Sequence, residues 1–219
     1  SAGALVIVPS HAQGLASLTS DDATKGLKLA LEKGGEVAVQ LLGAQDGFWG
    51  NEKVRIALPD GVQKAGKLLK SLGMGQQLDE LNLQMNRAAE AAVPKAKKWL
   101  TQSIQSMTVQ DAKSILQGGH DSVTQFFASK TREPLTVEFM PTVKQSLEKL
   151  GVVNQFNAVA VKLTGMGLLD KDKAKLETHV TAKTLDGLYF MIGEEEKKIR
   201  QNPAQAGSAI LTKVFGALR

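Results

Sequence analysis

Leu78 to Met107, LDELNLQMNRAAEAAVPKAKKWLTQSIQSM, is the stretch that decides the fold. With Met85 as reference and about 100° per residue, Leu78, Leu81, Ala88, Ala89, Ala92, Ala96, Trp99, Leu100, Ser103 and Met107 fall within about 60° of one line. That stripe predicts a long helix with one buried face, the central helix of the domain. Its alanine middle lets a partner helix approach closely, and Leu, Met and Trp fill the wider gaps at the two ends. Pro94 lies on the opposite side. It removes a helical hydrogen bond and crowds the Glu90 carbonyl, so a kink or a break is expected there.

Upstream, Ser20, Asp21 and Asp22 offer a cap for a helix over about 22–42 that ends at Gly43. Gly34-Gly35 interrupts it and calls for either a bend or a close helix crossing. Between this helix and the next lies LGAQDGFWGNEKVRIALPDG, residues 42–61, the least helical part of the chain. Asp46-Gly47 and Leu58-Pro59-Asp60-Gly61 are turn chemistry, and Val54 and Ile56 alternate with Arg55. The reading is an irregular loop with a very short extended piece, which either exposes Phe48 or Trp49 or tucks them under.

A helix over about 60–72 closes at Gly73, and Gly73-Met74-Gly75 hinges into the central helix. Downstream, Thr108 to Asp111 resembles a capping box with Asp at its last position, opening a short helix that stops at Gly118-Gly119. Asp121 or Ser122 is expected to cap the next helix, and Pro134 to sit near the first turn of a further one that runs to Leu150 with a second kink at Pro141. Val152 to Val161 reads as helical and Gly165-Met166-Gly167 as a break. From Lys171 a helical pair is expected, its stronger member over about 180–201 with Leu185, Leu188, Tyr189, Ile192 and Ile199 inward, stopping at Asn202-Pro203. A short last helix holds Ile210, Leu211, Val214 and Phe215.

Aromatic residues make up only 5% of the chain, and Ala, Leu, Lys, Gln and Glu dominate the periodic stretches, which selects an all-α fold. With no internal repeat, residues 13–219 are read as a single compact multi-helix domain with a kinked central helix and one irregular loop. An excess of basic residues, 27 against 22 acidic, favours acidic partners such as anionic lipid. The two signs are interspersed, however, which argues against specific nucleic-acid binding. The absence of cysteine excludes disulfides, thiolate metal sites and cysteine nucleophiles.

Residues 1–12 read as the remnant of a secretory signal peptide: an apolar run, Pro9, then Ser10-His11-Ala12 as a small-x-small cleavage site. The mature chain would begin at Gln13, in the periplasm. No later stretch approaches the roughly 18 apolar residues that span a bilayer, so the protein is not expected to be membrane-spanning.

Catalytic signatures are sparse. His11, His120 and His179 form no metal-ligand pattern, and no phosphate-binding fingerprint surrounds Gly73-x-Gly75 or Gly165-x-Gly167, so neither metal nor cofactor is expected. Gly119-His120-Asp121-Ser122 sets the residue types of a triad side by side, but neighbours at a helix start point in different directions, and helix capping is the better reading. Asn86, Arg87 and Glu90 border the apolar stripe of the central helix. They could bond neighbouring segments or line a polar cleft with Asp46, Asn51 and Arg55 of the loop, and these six are candidate binding residues. Glu195 is a seventh. It sits one turn before Ile199, so it is expected to face inward, where a carboxylate needs a partner such as Arg55 or Arg87.

Taken together and in order, LGAQDGFWGNEKVRIALP, LDELNLQMNRAAEAAVPKAK, MTVQDAKSILQGG, FMPTVKQSLEKLG and VTAKTLDGLYFMIGEEEKKIRQNPA resemble a family of exported bacterial proteins catalogued as domain of unknown function 4197. The resemblance runs from about Gly26 to Gly216 and implies a helical, exported envelope protein cleaved near Ala12. Val123 stands where alanine would be expected and Phe126 where tyrosine is usual, so a tyrosine hydroxyl at that position is dispensable. No catalytic residues come with the resemblance.

Three functions are compatible with these features. The first is a non-enzymatic periplasmic binding or scaffolding protein that presents the 43–61 loop and the polar border of the central helix to an envelope protein or a small ligand. The second is a carrier of an apolar ligand such as lipid, held between kinked helices. The third is a carboxylate-based hydrolase using Asp46, Glu90 or Glu195, which requires paired carboxylates converging in a cleft.

Overall fold

The computed structural model describes residues 19–119, 121–170 and 175–217. The proposed cleavage site and His120 lie outside them. The chain is all-α. Helix α1 (Ser20–Gly43) leads into an irregular loop; α2 (Asp60–Lys64) and α3 (Gly66–Ser71) are short; α4 (Gly75–Ala92) and α5 (Ala96–Gln105) are the two halves of the predicted central helix. Then come α6 (Val109–Gln117), α7 (Ser122–Lys149), α8 (Val152–Gly165), α9 (Leu176–Gln201) and α10 (Ala209–Ala217).

The apolar stripe is buried as predicted. Leu78, Leu81, Met85, Ala88, Ala89, Ala92, Ala96 and Leu100 are all core residues. Pro94 breaks the element: Val93–Lys95 is a single 3-10 turn joining α4 to α5, and the proline ring faces Gly43 at the end of α1. The core is shared more widely than one central helix implies, because the most extensive packing is between α7 and α9, with α1 laid against α9 and α4 against α7.

Thr19, not Ser20 or the aspartates, caps α1, its hydroxyl accepting the Asp22 N–H at 3.0 Å. The helix continues without a break through Gly34-Gly35, and the expected close crossing is present there. A Cβ on Gly34 would sit 3.5 Å from Glu195 Cβ and from the Glu196 backbone nitrogen, so α1 crosses α9 at this point.

Residues 122–149 form one helix, not two, with Pro134 and Pro141 both inside it. Its buried positions explain the continuity. Val123, Phe127, Thr131, Leu135, Phe139, Val143 and Leu147 recur every fourth residue through both prolines, so breaking the helix at either would expose half of the row. Two hydroxyls also return to the backbone four residues back, Thr131 to Phe127 and Thr136 to Arg132, both at 2.7 Å.

The capping box of α6 is present, Thr108 and Asp111 each bonding the other's backbone N–H. At α7 the expected cap is not made. Asp121 occupies the N-cap position without a side-chain bond, and Ser122 donates instead to the Ile115 carbonyl at 3.0 Å, closing the end of α6. The expected helical pair after Lys171 is a single helix over its described part, α9, which ends at Asn202 before a 3-10 turn, Pro203–Ala206. Among the described residues, no helix is long and apolar enough to cross a membrane.

Candidate functional site

The loop between α1 and α2 is built from tight turns. Asp46 takes a left-handed backbone conformation at φ 64°, and Gly47 packs so closely that a Cβ there would lie 2.3 Å from the Leu41 carbonyl oxygen. This fold tucks Phe48 under completely, against Gly187 of α9, while Trp49 stays half-buried with the Arg55 guanidinium 5.0 Å above its ring. Arg55 Nε also donates to the Trp49 carbonyl.

The polar border of α4 meets this loop directly. Glu90 is buried. Its Oε1 accepts the backbone N–H groups of Phe48 at 3.1 Å and Trp49 at 3.2 Å, and its Oε2 pairs with Arg87 at 2.9 Å. The other arm of the Arg87 guanidinium reaches Asp46 at 2.8 Å. Asp46 and Glu90 therefore meet only through the cation between them, and both carboxylates hold that guanidinium's pKa above its ordinary value, Glu90 most strongly. One turn earlier, Asn86 is fully buried, giving its amide to the backbone of Ile56.

Of the seven candidate residues, the structure thus brings Asp46, Arg87 and Glu90 into one ion-paired chain and places Asn86 beside it as a second clamp. Asn51 belongs to the loop's own scaffolding: its side chain accepts the Lys53 N–H at 3.1 Å, and its carbonyl takes the N–H groups of Val54 and Arg55. Glu195 faces inward as expected but on a different partner. Its carboxylate pairs with Lys198, one turn on, at 2.6 Å, because α9 carries it toward α1 and not to Arg55 or Arg87.

Chemically, the clamp is an anchor. Both Glu90 oxygens are committed to protein donors, and among the described residues neither a nucleophile nor a third carboxylate bonds to this chain of groups. Among the described residues, no group of three or more His, Asp or Glu side chains has ligand geometry for a metal ion.

Open concavities lie elsewhere, and two of them are lined by Phe190 on the outer face of α9. One, of about 350 Å³, runs between the loop residues Lys53 to Ala57 and the α9 residues Lys183, Asp186, Gly187 and Phe190. The other, of about 460 Å³, lies between the Gly118–Thr124 connection and the second half of α9, from Phe190 to Gln201. Its wall includes Glu196, which is buried and paired with Arg200, whose guanidinium also reaches the Ile115 carbonyl at 3.2 Å. Burial raises the Glu196 carboxyl above its usual pKa, and Arg200 partly offsets this.

Sequence reasoning passed over Phe190, Lys53 and Lys183. One signal was present for the first: Phe190 falls about 165° from the Leu185, Leu188 and Ile192 face of α9, a lone aromatic on a polar helix side.

A family model described as protein of unknown function (DUF4197) matches residues 17–216. No curated protein and no solved structure matches the chain.

Proposed function

The chain belongs to the DUF4197 family, a membership that brings no reaction with it, and from the geometry of loop and groove we propose that it is a non-enzymatic periplasmic binding or scaffolding protein. The observation that carries this reading is the relation between clamp and groove. Buried side chains of α4 hold the 44–59 loop from beneath, and the outer side of that fixed loop forms one wall of an open concavity whose other wall bears the exposed Phe190. A rigid platform next to an open, partly apolar surface is what recognition requires. Placement in the periplasm is supported by the apolar run before Ser10-His11-Ala12.

The test is photo-crosslinking in the native cell with benzoylphenylalanine at position 190, compared with position 137, where Val137 is 71% exposed on α7. The expected result is a discrete adduct from position 190 only, with native mass spectrometry of the purified protein giving its stoichiometry. A catalytic activity that follows the purified protein and disappears in a folded Glu90→Ala variant would overturn the proposal. Intact mass of the protein recovered from an export-competent host tests the cleavage after Ala12.

A further inference from the structure

The short segment Val54–Ala57 has the burial pattern of an edge strand without a neighbour: Val54 and Ile56 are buried, Arg55 and Ala57 exposed. In an extended chain, a residue's N–H and C=O leave on one edge and those of its neighbours on the other. Ile56 turns both toward α4, where Asn86 takes them. On the other edge, the Ala57 carbonyl meets His179 Nε2 of α9 at 2.9 Å. The Arg55 N–H is returned to the Asn51 carbonyl at 2.8 Å. Among the described residues, the Arg55 carbonyl and the Ala57 N–H have no hydrogen-bond partner. They are the two groups that flank Ile56 in an antiparallel ladder, the pair through which one further strand would bond.

The trench of about 350 Å³ opens along this edge. Lys53, Arg55 and Lys183 line it against a single carboxylate, Asp186, which Arg132 already holds at 2.7 Å. Lys53 and Lys183 make only long, exposed contacts, at 3.5 Å to Glu194 and 3.8 Å to Asp186, pairs weak enough to exchange for a ligand's carboxylates. Phe190, 38% exposed, supplies the apolar contact at the end of the trench.

We propose that this trench receives an acidic peptide segment in extended conformation, added antiparallel to the Arg55–Ala57 edge, with its carboxylates on Lys53 and Lys183 and an apolar side chain against Phe190. The inference rests on the binding reading above and names the chemistry of the partner.

The probe is an end-blocked heptapeptide alternating Asp with Leu, titrated into the ¹⁵N-labelled protein, together with its Asn-for-Asp counterpart and a version N-methylated on alternate amides. The Asp peptide should shift the Ala57 amide and slow its hydrogen exchange. Affinity should fall about tenfold in the Lys53→Glu/Lys183→Glu variant and for the Asn peptide, and the N-methylated peptide should not bind. Phe190→Ser should also weaken binding; all three positions are solvent-exposed, and unchanged melting temperatures would confirm intact folds. An Ala57 amide indifferent to the Asp peptide, or equal binding of the Asn or N-methylated versions, overturns the proposal, as does preferential binding to anionic vesicles over the peptide. A crosslink at position 190 alongside an unresponsive Ala57 rejects the acidic strand alone; loss of both rejects the binding reading as well.

Discussion

Asn86 holds Ile56 as a neighbouring strand would, its Oδ1 accepting the Ile56 N–H at 2.8 Å and its Nδ2 donating to the Ile56 carbonyl at 2.9 Å. Because the side chain is fully buried, no water can replace it without rearrangement. Asn86→Ala should cost about 2–4 kcal/mol, since it orphans a buried donor and a buried acceptor together. Asn86→Asp should be at least as damaging, because its carboxylate would face the Ile56 and Asn82 carbonyls that the amide now donates to. Urea unfolding midpoints of the three proteins give the order; an alanine variant as stable as wild type would show that the loop has another anchor.

The Glu90 clamp makes a graded prediction. Glu90→Gln keeps an oxygen for the Phe48 and Trp49 amides and loses the charge facing Arg87, at a cost of about 1–2 kcal/mol. Glu90→Ala removes the acceptor as well, leaving two amides unpaired and Arg87 with Asp46 as its remaining carboxylate, and should cost about 3–5 kcal/mol. A double-mutant cycle with Arg87→Met reads the coupling directly, and a coupling near zero would mean that the amides, not the ion pair, carry the loss.

The clamp was legible before any coordinates because its members flank the apolar stripe of α4, and a polar residue on the border of a buried face meets whatever covers that face. The long helix α7 was not. Its buried row advances in steps of four, each drifting by about 40°, so over the helix it winds well around the axis and leaves no straight stripe to recognise. Pro134 then suggested a helix start that tertiary packing overrides. The partner of Glu195 was equally beyond reach, since Lys198 on the same helix and an arginine across the domain satisfy the same charge pattern. The trench beside Phe190 depends on a crossing of loop and helix that no local spacing encodes.

Two mid-helix glycines should respond oppositely to alanine. At Gly187 a Cβ would lie 2.8 Å from the Phe48 ring and 3.3 Å from Val54, so Gly187→Ala should lose about 1–3 kcal/mol by forcing the loop off α9. At Gly35 the nearest atom is Leu100 Cδ1 at 3.9 Å, an ordinary contact, and Gly35→Ala should gain up to about 1 kcal/mol from helix propensity. Melting temperatures should move about 2–4 °C per kcal/mol in the two directions. Destabilisation by both would mean that α1 and α5 pack more tightly than the Gly35–Leu100 geometry indicates.

Glu196 gives the chain a specific response to pH. Its carboxyl is raised above the usual 4.5 by burial, with Arg200 opposing the shift, so the folded protein holds that proton more tightly than the unfolded chain does. The stability this group contributes is fully present below about 4.5 and is lost as the pH rises through its raised folded-state value. Glu196→Gln cannot titrate but keeps an oxygen for Arg200. Plotted against pH, the melting temperature of wild type minus that of the variant should therefore increase as the pH falls from neutral and level off below about 4.5. Asp22 and Asp111, whose carboxyls are shifted downward by Lys213 and by the Thr108 backbone respectively, titrate in both proteins and cancel from the difference. Parallel profiles across that range would show that the Arg200 pair outweighs burial and keeps Glu196 ionised throughout.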